Sequence, residues 1–284
     1  MSKHISGFRA ALAALPLLFA GAGPAAAQPL RADAAVQAPT YADLVDLAEA
    51  AGLVARARVV DQATVKPERA PGLAPGRARL FVEAQTEALL TGQAALGESL
   101  RYLVDMPVNA KGKPPKLKKS SVLLFARAVP GRPGELQLVR PDAQLPADPQ
   151  IESRLRAILT DLAAPDAPPR ITGVRDVISV PGNLAGESET QMFLETRQGD
   201  PVSLTILRRP GMEPQWGISW SEIVDQSARP PEPETIEWYR LACFLPRGLP
   251  ADAYLQDNAA SRAQAEADYE LVIERLGACE RSGG

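Results

Sequence analysis

The chain carries one histidine, His4, and two cysteines, Cys243 and Cys279, among its 284 residues. His4 falls inside a stretch that reads as a cleavable export signal, so the mature chain is expected to have no histidine at all. That removes Ser-His-Asp and Cys-His catalysis, histidine metal sites and histidine pH switches in one step. Neither GxSxG, SxxK, a phosphate-cradling glycine loop, CxxC nor an EF-hand pattern occurs, and the sequence calls for no cofactor or metal. Aromatics make up only 5% of the chain, while prolines number 27. A lean aliphatic core and many turns follow. Beyond the first residues, no apolar run approaches the roughly 18 residues of a membrane-spanning helix.

The formal charge is −3, and removing Lys3 and Arg9 with the leader deepens it to −5. A general polyanion-binding surface needs a basic surplus or a concentrated basic face, so nucleic acid is not an expected partner. Anion binding, if present, must be local.

Residues 1–27 have the three-part layout of a secretory signal: Lys3 and Arg9, an apolar run over 10–22, then Ala25-Ala26-Ala27 before Gln28. The expected destination is outside the cytoplasm, periplasmic or extracellular. Two cysteines alone in an oxidising compartment are expected to pair with each other, Cys243 to Cys279.

Residues 28–39 lack periodicity and read as a disordered leader. A unit over 40–164 follows. Thr40 and Gly52 bracket a short helix. Strands are predicted over 53–62, 80–90, 100–106, 122–129 and 135–140, the fourth apolar on both faces and therefore central. Asp148 and Pro149 then start a helix with Ile151, Leu155, Ile158 and Leu162 on its buried stripe. The proline-rich run 164–173 is the predicted boundary. The second unit, 170–284, reads as five strands over 171–180, 190–196, 202–209, 216–224 and 236–245, then an Ala-rich helix over 259–276 stopped by Gly277. The expected class is α+β and β-rich: two small antiparallel sheet or barrel-like units with flanking helices. Five short alternating strands are similar in number to the small oligonucleotide/oligosaccharide-binding barrels. Those barrels place a helix between their third and fourth strands, where this chain has something else.

That something is the sharpest local feature. Lys111, Lys113, Lys116, Lys118 and Lys119 fall within nine residues, although the chain has only seven lysines. As point charges they suit a phospholipid headgroup, an anionic polysaccharide or an acidic protein face. They equally suit a solvated hairpin tip whose charges guard neighbouring apolar strands. Trp216, Ile218 and Trp220 lie at period two, so on a strand both indoles share a face; exposed they would form a stacking platform, buried they are core, the preferred reading. Asp105, Glu187, Glu189, Glu195, Glu222 and Asp225 are the carboxylates nearest apolar strand ends, and a carboxylate-based hydrolase would draw on such groups. Their spacing selects no pair. The expectation is therefore an exported, non-enzymatic envelope binding protein that meets an anionic partner through residues 111–119. A glycoside-type hydrolase and an inhibitor or assembly factor for another secreted protein are the alternatives. Oligomeric state is not legible.

Overall fold

The structure is a computed structural model that describes residues 38–93, 96–221 and 228–282. The export signal, and the leader up to residue 37, lie outside the described residues.

Thr40 starts α1 (Tyr41–Ala50) by a reciprocal capping box. Its hydroxyl accepts from the Asp43 N–H, and its own N–H donates to the Asp43 carboxylate. The helix ends at Ala51 in extended geometry, and Gly52 donates its N–H to Ala126. Gly52 is thus the first step onto the sheet rather than a left-handed cap.

A six-stranded antiparallel sheet follows, made of β1 (Leu53–Thr64), β2 (Arg77–Gly92), β3 (Ser99–Pro107), β4 (Ser121–Ala128), β5 (Leu136–Leu138) and β6 (Gln144–Pro146). A 3-10 turn, Pro67–Arg69, interrupts the β1–β2 connection. The order is β3-β2-β1-β4-β5, with β6 also pairing β4. Residues Val122 to Ala126 are all buried, as expected for a strand covered on both faces. Three register shifts between β1 and β2 accentuate the twist, and the sheet curls until its outer strands meet. Arg101 N–H donates to the Gly134 carbonyl and Asp105 N–H to that of Pro141. Gly134 is required here: its φ is +80°, and a Cβ would lie 2.6 Å from the Ser99 oxygen. One parallel bridge, Arg101 to Glu135, joins the edges, but no ladder does. The barrel-like reading therefore resolves into a curled, open sheet.

Asp148 accepts from the N–H groups of Gln150 and Ile151 and starts α2 (Pro149–Ala163). The second sheet is an open meander of β7 (Ile171–Pro181), β8 (Ser188–Thr196), β9 (Val202–Arg208) and β10 (Gln215–Ser219), in order β10-β9-β8-β7. Two helices complete the chain, α3 (Ile236–Ala242) and α4 (Ala259–Leu276), the latter stopped by Gly277 at φ +72°.

The expected strand over 236–245 is helical. Its Ile, Trp, Tyr, Cys and Phe residues suit a sheet locally, but Thr235 caps the segment by accepting from the Trp238 N–H, and tertiary packing decides the rest. Ile236 and Tyr239 enter the core of the first sheet, together with α1, Leu155 and Ile158. Leu241 enters the other core, built from β7–β10 and from Ala265, Tyr269, Val272 and Leu276 of α4. Trp238 and Phe244 touch both. One helix thus serves two cores. Cys243 caps it and is disulfide-bonded to Cys279, so the bridge joins the ends of two helices rather than a helix and a strand.

Candidate functional site

The five lysines lie on the 108–120 connection between β3 and β4. These strands are not a hairpin: β2 and β1 separate them, so the chain crosses the end of the sheet. Its path is fixed at several points. Val108 N–H donates to Gly76 O at 2.9 Å. Asn109 folds the tip, its side-chain oxygen accepting from the Lys111 and Lys113 N–H groups at 3.0 and 3.1 Å. The Gln62 amide, from the end of β1, grips the middle: Nε2 donates to Pro115 O at 2.9 Å, and Oε1 accepts from the Leu117 N–H. Leu117 is half-buried against the first core. Lys119 N–H donates to Val59 O, and Val59 N–H to Ser120 O, which delivers the chain to β4. Main-chain and amide contacts therefore do the holding, and the lysine side chains do not.

Lys111, Lys113, Lys116, Lys118 and Lys119 are all exposed. Among the described residues only Lys118 forms an ion pair, to Asp61 at 3.4 Å, with both partners open to solvent. Lys119 sits at φ +72°, in the left-handed region that a side chain ordinarily avoids. A glycine there would relieve about 1 kcal/mol of backbone strain, yet the position carries a cation.

The neighbouring surface adds an apolar row that sequence reading did not single out. Phe81 on β2 pairs directly with Leu103 on β3, and with Ala63 on β1. Phe81 and Leu103 are 38% and 48% exposed, with Val60 at 48% beside the β1 bulge. The signal was present in the alternation: large apolar residues occupy outward positions between Arg79 and Glu83, and between Arg101 and Asp105.

The tryptophans are placed differently. Trp216 is 5% exposed and belongs to the second core; Trp220 is half-buried against it. Both indole N–H groups are buried, without an acceptor among the described residues. Trp216 therefore presents no open ring face.

Among the described residues, the candidate carboxylates do not assemble into an acid–base pair. Asp105 is held by Arg79 through two hydrogen bonds of 2.7 and 2.8 Å. Glu187 accepts from the N–H groups of Asn183 and Leu184 and closes the β7–β8 turn. Glu189 accepts from Gln191, and Glu195 is exposed. Glu222 and Asp225 lie outside the described residues. Glu87 and Glu152 do approach one another, but Arg56 stands between them, 2.8 and 3.2 Å from each. Burial pushes the Glu87 carboxyl up, and hydrogen bonds from Arg56 and Ser121 with the charge of Arg58 outweigh it, holding it below the usual range. A general acid needs the opposite shift. No group of three metal-ligating side chains occurs among the described residues.

No helix of the described residues is long and apolar enough to cross a membrane. No family model matches the chain, and no curated protein matches it.

Proposed function

We propose that this chain is an exported, non-enzymatic binding protein of the cell envelope, which meets an anionic partner through Lys111, Lys113, Lys116, Lys118 and Lys119. The observation that carries the reading is a braced connection displaying five exposed lysines, four of them without an ion pair among the described residues. A surface whose charges merely kept it soluble has no use for a cation held in left-handed geometry at Lys119. Export is supported by the leader sequence and by the Cys243–Cys279 bond, which belongs to an oxidising compartment. The apolar row of Phe81 and Leu103 suits a partner that offers acyl or other apolar surface beside its charge.

Each lysine near an anionic surface contributes on the order of 1 kcal/mol before screening. Changing all five to Gln should therefore weaken binding to vesicles containing anionic phospholipid, or to an envelope fraction, by tenfold or more at low salt. Raising the salt should weaken wild-type binding in the same direction. Equal recovery of the same partner by wild type and variant would reduce the connection to solvated surface. The variant should unfold at the wild-type temperature, because none of the five side chains is buried.

A further inference from the structure

A second cationic site lies where the two cores meet. Arg170 precedes β7 and Arg240 lies on α3, and both reach Glu49 on α1: Arg170 Nη2 is 2.7 Å from one carboxylate oxygen and Arg240 Nη2 is 2.7 Å from the other. Arg240 also donates from Nε to Pro168 O at 2.9 Å. Its residue is 5% exposed, and its Nη1 is buried with no acceptor among the described residues. Arg170 repeats the situation, its Nε being buried and without an acceptor. Both arginines line a cavity of about 420 Å³ whose rim adds the exposed Arg197 and Asp200.

Buried guanidinium donors left unmet are costly, and two arginines that line one cavity while each keeps such a donor call for an explanation. The charged lining is three arginines against Glu49 and Asp200, one positive charge in excess. Guanidinium is the group suited to planar, two-point contact with oxyanions. Phe244 lies under Arg170, 4.8 Å from ring centroid to guanidinium carbon, and holds its plane.

We infer that this cavity is a binding site for a small oxyanion, a phosphate or carboxylate group, taken by Arg170 and Arg240 with Arg197 closing the rim. Glu49 holds the two guanidiniums ready and competes with the ligand for them. The site is separate from the lysine connection, and its ligand need not be the partner bound there.

The test uses the full chain in thermal unfolding and titration calorimetry, with inorganic phosphate and malonate as probes, at constant ionic strength set with chloride. Saturating probe should raise the midpoint by on the order of 5 °C. A response to phosphate alone, or to malonate alone, assigns the ligand class. Arg197→Gln, at an exposed position that leaves the Glu49 bridge intact, should weaken binding at least fivefold. Glu49→Gln should tighten it about tenfold, with the probe restoring the stability that this variant loses. No midpoint change in either the wild type or Glu49→Gln overturns the site. So does an unsaturable rise of equal size in Arg197→Gln, which marks general salt exclusion.

Discussion

The lysine connection and the arginine cavity are both cationic, and the two are built by opposite means. Along 108–120, lysines stand in water on a backbone fixed by other groups, so each charge is dispensable to the fold. Between the cores, Arg170 and Arg240 are part of what they bind to: they pin α1 to α3 and to the entry of β7 through Glu49. An exposed ammonium attracts any anion, weakly and with strong screening. A half-sheltered guanidinium selects by geometry and resists salt, and it destabilises the protein when its partner is lost. Sequence abundance is therefore a poor guide to energetic weight.

The contrast can be broken at several points. Loss of the disulfide should have the largest effect. Cys243 caps the helix that bears Arg240, and opening a loop of separation 36 should cost about 4 kcal/mol in denaturant unfolding. Hydrogen exchange should then quicken in α3 and in the C-terminal turn of α4, while the 108–120 amides keep their protection. Next, Arg240→Met should cost about 3 kcal/mol, because Glu49 is left with one cation in a sheltered place. The same substitution at Lys116 should be neutral within about 0.5 kcal/mol.

The start of α1, away from Glu49, gives a pH dependence of smaller size. Burial pushes the Asp43 carboxyl up, but hydrogen bonds from the Ser282 side chain and N–H, and from Thr40, prevail and hold it below its ordinary value of 3.8. A carboxyl lowered by folding contributes its stability above the unfolded value, and loses it as pH falls through the folded one. The loss should begin near pH 4 and deepen below it. Asp43→Asn should flatten that part of the stability curve, whereas the five-lysine variant should retain it. Smallest is Lys119→Gly, expected to raise stability by less than about 1 kcal/mol as strain relief is partly offset by unfolded-chain entropy. If it also weakens anion binding about twofold, the strained lysine belongs to the contact.

Much of the fold was legible because its signals are local. Thr40 with Asp43, Asp148 with Pro149, and Gly277 announced helix ends, and period-two alternation located β7 to β9 within a few residues. The residues 236–245 misled because their composition fits a strand while two separate cores recruit them as a helix. The three-residue β6 has no periodicity to find, and β4 accepts it only after the chain has turned back at Pro141. The lysines were visible as a cluster, but not their setting, since pairing β4 with β1 instead of β3 is a nonlocal choice. The arginine seam was invisible. Glu49 and Arg170 stand 121 residues apart, and nothing near either names the other.

The last described residues return to the first helix. Thr40 donates its hydroxyl to Glu280 O, Ser282 donates to the Asp43 carboxylate, and Arg281 reaches Asp46. Tyr239, from late in the chain, fills the core beneath α1 and donates to the same Asp46. A ribosome delivers these partners roughly two hundred residues after α1. The helix α1 therefore emerges during synthesis with Asp43 held by Thr40 alone and Asp46 unanswered, and it is completed only once residues 239–282 have followed.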